Sequence, residues 1–125
     1  MKMKNILLLV FIYTFAMASA QIFLKFGVQE MGTIKIKGAK DAFWILINIF
    51  RNKAIVAGMA LMVSSFILWL YVLSLSKLSL VFPLTAFMYI FVAVLAYFFL
   101  GEKLAAYNYL GIVLIVSGVF FLLYR

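Results

Sequence analysis

Four stretches of the chain are long and apolar enough to cross a lipid bilayer. They cover residues 5–24, 54–75, 78–100 and 107–124. A spanning helix needs about 20 apolar residues, because the hydrocarbon core of a bilayer is about 30 Å thick. The segments between the last three stretches are short, so these helices are expected to lie antiparallel and side by side. The sequence therefore predicts an all-α integral membrane protein, a four-transmembrane-helix bundle in a single domain over residues 1–125.

The composition excludes a soluble enzyme. Apolar residues make up 70% of the chain and charged residues 11%, whereas a soluble domain is about half apolar and a quarter charged. The absence of Cys and His removes thiol chemistry, disulfides, zinc sites and histidine acid–base catalysis. The sequence also lacks a nucleophile with a neighbouring base, a carboxylate pair and a phosphate-binding loop. We therefore expect no enzyme, no metal site and no cofactor.

The formal net charge is +8, which in a soluble protein would indicate a nucleic-acid partner. Here the basic residues flank the apolar stretches and form no stripe, so membrane lipids are the better partner and no nucleic acid is expected. Because basic residues occur on both sides of the expected bundle, the positive-inside rule leaves its orientation open.

The connection between the first two stretches, residues 25–53, has two parts. Residues 29–40 contain glycines and lysines, which indicate a hydrated loop. Residues 41–52 place Asp41, Asn48 and Asn52 on one side of a helix and apolar side chains on the rest. This segment is too short to span, and its Trp and basic ends suit the membrane surface. We predict an interfacial amphipathic helix; the alternative is a simple N-terminal extension of the second span.

The N-terminal stretch also has the features of a signal peptide. Lys2 and Lys4 precede an apolar core, and Ala18-Ser19-Ala20 has the small residues of a cleavage site. A retained first span is the prediction, and cleavage is the alternative.

Polar side chains inside the apolar stretches are the candidate binding residues, because an ionisable group in a bilayer costs free energy unless it is paired or hydrated. Thr14, Gln21 and Lys25 share one face of the first helix. Gln21 and Lys25 together offer amide donors and a cation to an anionic group that enters from the headgroup layer. The alternative for Lys25 is an interfacial anchor whose ammonium extends to water.

The second and third stretches add further candidates. Ser65 and Trp69 are four residues apart, so both are expected to face one cavity; helix packing is the alternative. Tyr89 lies near the middle of the third stretch, where a buried hydroxyl needs a partner. Glu102 follows that stretch, either as an ordinary solvated charge or as a charge partner of Lys25 or of a neighbouring lysine at the mouth of the bundle.

The start of the third stretch contains helix-initiating residues. Ser79 is a plausible N-cap, and Pro83 is expected in the first turn, where a missing N–H costs little. One continuous helix over residues 78–100 is the prediction.

Gly111, Ile115 and Gly118 form one stripe along the fourth helix. Small residues let membrane helices approach closely. Transport by so small a chain would need two copies, because four helices are few to enclose a substrate and to alternate its exposure. The stripe is therefore predicted to be a dimer interface, with itself or with a paralogous four-helix subunit; packing within one bundle is the alternative.

Three segments carry a resemblance to a known superfamily. They are LWLYVLSLSKLSLVFPL at residues 68–84, GEKL at residues 101–104, and YLGIVLIVSGVFFL at residues 109–122. They resemble the four-helix members of the drug/metabolite transporter superfamily. The resemblance implies a dimer of four-helix protomers that transports by alternating access.

The pattern A-Q-x-x-L-K at residues 20–25, together with Pro83 and the GE at residues 101–102, resembles the EamA-type branch. Within that branch it is most similar to the small subunits that flip aminoarabinose-linked undecaprenyl phosphate across the bacterial inner membrane. This resemblance implies a lipid-linked phosphate substrate and a location in a bacterial or archaeal plasma membrane. Lys25 and Gln21 would then engage the phosphate, Trp69 and Tyr89 would line the cavity, and Glu102 would balance charge.

More distantly, the chain resembles the small multidrug resistance family, whose exporters exchange protons for cationic drugs through a membrane-embedded Glu. Aligned on Lys25, that position is Met17 here, and the first stretch contains no carboxylate. Proton-coupled export of cations therefore lacks its central residue. A small multidrug or small-solute exporter, which would need its acid from Glu30 or Glu102 at the helix ends, is one alternative. A non-transporting structural subunit of a membrane complex is another.

Overall fold

The computed structural model describes residues 2–124, and this part of the chain contains helices and no strand. The helices are, in chain order, α1 (Met3–Met31), α2 (Ala39–Arg51), α3 (Lys53–Leu75), α4 (Leu78–Leu84), α5 (Phe87–Leu95) and α6 (Ala106–Leu123), with a π-helical turn, Ala96–Leu100, after α5. Four segments are long and apolar enough to cross a membrane: α1, α3, the run Leu78–Leu100, and α6. The predicted fold class, an all-helical four-span protein with an extra short helix, is confirmed.

The first helix is longer than the apolar stretch that predicted it. It continues from residue 24 to Met31, and Gly32 ends it with φ 75°. At about 1.5 Å per residue, its 29 residues span about 43 Å, which exceeds the hydrocarbon thickness of a bilayer. Lys25 therefore lies within the helix instead of at its exit, and the hydrated loop is limited to residues 32–38.

The pair formed by α1 and α3 is the most extensive helix contact in the bundle. A Cβ on Gly58 would lie 3.0 Å from the backbone oxygen of Ala20 and 3.0 Å from the side chain of Leu24. Gly27 packs against the first turn of α3, where a Cβ would overlap Ile55. Ala20, part of the cleavage-like pattern, is fully buried. Small residues thus let the two backbones approach closely. Membrane helices depend on such close packing, because the hydrophobic effect does not drive their association inside a bilayer.

Asn52 connects α1 and α3 at one end of this pair. Its Oδ1 accepts a hydrogen bond from the backbone N–H of Ile55 at 3.1 Å and so caps α3. Its Nδ2 donates to the backbone oxygen of Gly27 at 3.2 Å and to Oε2 of Glu30 at 3.0 Å. Asn52 itself is extended, with φ −79° and ψ 117°. The predicted helix after the loop is therefore separate from the second span, and the alternative of a simple extension is wrong.

The third span begins differently from the prediction. Helix α4 starts at Leu78 with Lys77 at its N-cap position, and no side chain caps it. The prediction that Ser79 is the N-cap is therefore wrong. Pro83 lies near the end of α4 and not in its first turn.

The third span is not one continuous helix, and its interruption follows Pro83 directly. The missing N–H and the ring of a proline disturb the turn before it, which here is part of α4. After Pro83, the N–H groups of Thr85 and Ala86 donate to oxygens only three residues back, at 3.0 Å each. This tightened turn separates α4 from α5, and the run continues as a π-helical turn from Ala96.

The buried apolar core closes one end of the bundle. It consists of residues from α1, α3, α4 and α6, namely Ile6, Val10, Val72, Val81, Leu84 and Val119. Val119, near the end of α6, is the buried residue of that helix. The other end, where α1 finishes and α3 begins, lacks a comparable core among the described residues, and the cavities described below lie there.

Replacing Gly58 by Leu is expected to destabilise the bundle, because the new side chain would overlap Ala20 and Leu24. Overpacking of this kind costs about 1–3 kcal/mol, so the midpoint of thermal unfolding in detergent should fall. Ala57→Leu is the matched control, since Ala57 is exposed on the same helix. Equal midpoints for the two variants would contradict the close approach of α1 and α3.

Candidate functional site

A cavity of about 320 Å³ lies between α1 on one side and α5 with the segment that follows it on the other. We name it the lysine cavity. Its polar lining residues are Gln21 and Lys25 from α1 and Glu102 from the loop after the π-helical turn. Its apolar walls are Ile22, Leu24, Val28, Val92, Ala96 and Leu100. Apolar walls with a few convergent polar groups are typical of a small-molecule binding site.

The helix α1 positions two of these polar groups. Gln21 and Lys25 are four residues apart, so they lie on one face, one turn from each other, as the sequence predicts. Gln21 is partly buried, whereas Lys25 is exposed. The cavity therefore has an amide deeper in its wall and a cation nearer to its opening.

The π-helical turn Ala96–Leu100 positions Glu102. The chain leaves this turn through Gly101 in the left-handed region, with φ 69°, a conformation that glycine adopts without steric cost. The backbone N–H of Glu102 donates to the oxygen of Ala96 at 3.2 Å and so holds the residue close to the helix end. Turns of this kind are frequent at functional sites. The sequence of the turn, AYFFL, contains nothing that distinguishes it from an ordinary α-helix.

A second cavity, of about 400 Å³, lies between α5 and α6. We name it the tyrosine cavity, because Tyr89 and Tyr107 both line it, together with Asn108 and Glu102. Glu102 thus lines both cavities, and so do Val92 and Ala96. Sequence analysis missed Tyr107 and Asn108, which lie at the start of the fourth span. The sequence offered one signal for them, since their polar side chains are expected at the same end of the bundle as Glu102.

Thr14, Ser65 and Trp69 line neither of these two cavities. The hydroxyl of Thr14, which is fully buried, donates to the oxygen of Phe11 at 2.9 Å. The hydroxyl of Ser65 donates to the oxygen of Leu61 at 2.7 Å. Both hydroxyl groups are therefore hydrogen-bonded within their own helices, and a role of these residues in binding stays a prediction.

Trp69 lies in an aromatic cluster that joins three helices. Its ring stacks on Tyr13 of α1 with 4.9 Å between the ring centroids. It also meets the edge of Phe82 of α4 with centroids 6.4 Å apart. In this arrangement Trp69 contributes to helix packing, and its expected place in a cavity wall stays a prediction.

Among residues 2–124, the two glycines of the stripe on α6 make no close contact with another helix. A Cβ on Gly111 or Gly118 would meet no atom within 4 Å, and Ile115 is 41% exposed. Gly111 and Ile115 line the tyrosine cavity. Close packing within the bundle thus occurs at other glycines, and the assignment of this stripe to a dimer interface stays a prediction.

Glu102 is the carboxylate that faces both cavities. Glu30 accepts a hydrogen bond from the side chain of Asn52 at 3.0 Å. Asp41 accepts one from the backbone N–H of Lys37 at 3.1 Å, which holds the loop against the start of α2. These two carboxylates therefore stabilise local structure, whereas Glu102 and Lys25 place opposite charges around one cavity.

Single cysteines can test which positions the lysine cavity exposes, because the chain contains no Cys. Gln21→Cys and Glu102→Cys are expected to react with a water-soluble maleimide in the folded protein, since both positions line the cavity. Thr14→Cys is the control and should react only after denaturation, because Thr14 is fully buried. Equal labelling of all three in the folded protein would be inconsistent with this cavity.

Comparison with known proteins identifies the family. A sequence model of the EamA-like transporter family matches residues 4–124, which include all four spans. The comparisons with curated proteins and with solved structures each give no significant match. The family is one of transporters, which agrees with the expectation that the chain is not an enzyme. The chain therefore belongs to the EamA-like transporter family, within the drug/metabolite transporter superfamily, and is a multi-pass membrane transporter.

Proposed function

We propose that this transporter moves a lipid-linked phosphate or sugar phosphate between the leaflets of a bacterial or archaeal plasma membrane, by alternating access in a dimer. The observation that carries the proposal is the presence of Lys25 and Gln21 in one cavity at the open end of the bundle. A phosphate group is stabilised by a cation and by hydrogen-bond donors, and these two side chains supply both.

An apolar groove beside the lysine cavity supports a substrate with a lipid chain. This groove, of about 230 Å³, is lined by Ser19, Ile22, Phe23, Phe26, Leu95 and Phe99. Ile22 also lines the lysine cavity, so the two spaces adjoin. Phe23 and Phe99 are exposed, which opens the groove to the surrounding bilayer. A phosphate headgroup can therefore occupy the cavity while its chain remains in an apolar environment.

Glu102 balances the charge of the cavity in this proposal. An uncompensated cation in an apolar wall is costly, and Glu102 supplies the opposite charge from the facing segment. When a phosphate group enters the cavity, its negative charge compensates the charge of Lys25 in place of Glu102. Glu102 also lines the tyrosine cavity, where Tyr89 adds a hydroxyl group.

A dimer completes the site. Val119 is the buried residue of α6, so most of this helix contacts little of its own chain. The open space beside Gly111 and Gly118 is what close pairing of membrane helices needs. A second copy or a paralogous four-helix subunit on this stripe would cover the tyrosine cavity, which Gly111 and Ile115 line.

Export of organic cations is the second candidate function. The tyrosine cavity combines the carboxylate of Glu102 with the rings of Tyr89 and Tyr107. A carboxylate and aromatic faces both attract a cation. Against this candidate, the first helix carries Met17 at the position of the embedded acid, and Glu30 is hydrogen-bonded to Asn52.

Lys25→Glu is expected to abolish transfer of a fluorescent polyprenyl phosphate between the leaflets of proteoliposomes, because it replaces the cation by a charge that repels phosphate. Lys25→Arg should keep most of the activity, since it retains the charge. Lys4→Glu is the matched control, because Lys4 is exposed at the opposite end of the bundle. Equal insertion of all variants is checked first, and wild-type transfer by Lys25→Glu would then refute the proposed role.

Native mass spectrometry in mild detergent is expected to show a dimer that carries a polyprenyl phosphate. Gly118→Leu should reduce the dimer fraction, because it fills the open space on the stripe. Val113→Leu is the control, because Val113 is exposed elsewhere on the same helix. A dimer without carrier lipid would favour the small-solute candidate. A stable monomer, or a lasting complex with a larger protein, would contradict the proposed dimer.

A further inference from the structure

A third polar cavity, of about 520 Å³, lies between the loop of residues 32–38 and α2. We name it the loop cavity. Its polar lining residues are Thr33 and Lys35 from the loop, Asn48 and Arg51 from α2, and Asn52. Met31, Ile34 and Ile45 complete it. No residue of the loop cavity lines the lysine or the tyrosine cavity.

The loop cavity has an excess of positive charge. Lys35 and Arg51 line it, and no carboxylate is among its described lining residues. Glu30 and Asp41 do not line it: Glu30 accepts a hydrogen bond from the side chain of Asn52 at 3.0 Å, and Asp41 accepts one from the backbone N–H of Lys37 at 3.1 Å. The cavity thus offers a guanidinium, an ammonium, a hydroxyl and the amide of Asn48 to an anion, whereas both N–H groups of the Asn52 amide are already used by Gly27 and Glu30. This donor set is suited to phosphate oxygens.

The apolar side chains of α2 indicate where this cavity lies relative to a bilayer. The helix has no buried residue. Phe43, Trp44, Leu46 and Phe50 are each more than half exposed. Its 13 residues span about 20 Å, which is too short to cross a membrane. A short helix with a wide apolar face, a Trp and flanking cations lies in the interfacial layer of a bilayer.

The position of α2 is held by its neighbours. The side chain of Asn52, at the end of α2, donates to Gly27 of α1 and accepts from Ile55 of α3. Since α1 and α3 cross the membrane, α2 is held at their ends. Its apolar face can then enter the interface while Asn48 and the basic residues remain at the depth of lipid phosphates.

From these observations we propose that the loop cavity binds the phosphate headgroup of an anionic bilayer lipid, with Lys35 and Arg51 as its cations. The lipid in this site is a resident component of the membrane and not the transported substrate. The inference therefore does not depend on the proposed function. Binding would join the loop, α2 and the end of α1 next to the lysine cavity.

The test measures lipid binding by the full chain in mixed micelles, with thermal stability as the readout. Phosphatidylglycerol is expected to raise the unfolding midpoint of the wild type more than phosphatidylcholine does. In the double variant Lys35→Gln/Arg51→Gln, the apparent affinity for phosphatidylglycerol should fall about tenfold or more. The reason is that each Lys or Arg near anionic lipid raises the binding affinity about fivefold. Lys2→Gln/Lys4→Gln is the matched control, because it removes the same charge from exposed positions at the other end.

Each other outcome overturns the proposal. An equal loss in the control variant would indicate general charge attraction, and stabilisation by inorganic phosphate alone to the same extent would indicate a site for soluble anions. An unchanged affinity for phosphatidylglycerol in the double variant would show that Lys35 and Arg51 do not bind the lipid phosphate. A second measurement uses brominated phosphatidylglycerol, which should quench the part of the fluorescence that Trp44→Phe removes. Absence of that quenching would overturn the interfacial position of α2.

Discussion

The close approach of α1 and α3 is the contact on which the rest of the structure depends. It exists because Gly58 and Gly27 present no side chain where the two backbones meet. In a membrane, lipid tails are as apolar as leucine, so helices associate through packing and hydrogen bonds and not through release of water. Asn52 adds such hydrogen bonds at the end of the pair. The same residue ends α2 and begins α3, so this junction also orients the short helix.

The two ends of the bundle differ in how they are packed. A buried core including Val72, Leu84 and Val119 closes one end. The other end contains the lysine, tyrosine and loop cavities and all three carboxylates of the chain. A transporter in alternating access exposes its site to one side at a time. Under the proposed alternating access, a core at one end and cavities at the other would correspond to a state open to one side.

Hydropathy alone determined the number of spans, the fold class and the presence of an additional amphipathic helix. These features follow from local properties: the length of an apolar run and the spacing of polar residues along a helix. The shared face of Gln21 and Lys25 follows from the same periodicity. The motif around residues 20–25 and the GE at residues 101–102 also indicated the family that the match over residues 4–124 identifies. Helix ends were less predictable, because α1 continues to Met31 through Gly27, a poor helix former that is packed against Ile55 and bound by Asn52.

The tertiary structure alone decided which residues meet. It places Glu102 and Lys25 around one cavity, with Glu102 following a π-helical turn that no local pattern in AYFFL indicates. It gives the close packing to Gly27 and Gly58 and leaves Gly111 open, although all three are glycines in or beside apolar helices. Which face of a helix meets a neighbour depends on all the helices packing at once. Hydropathy cannot supply that information, because in a membrane the outer and inner faces of a helix are both apolar.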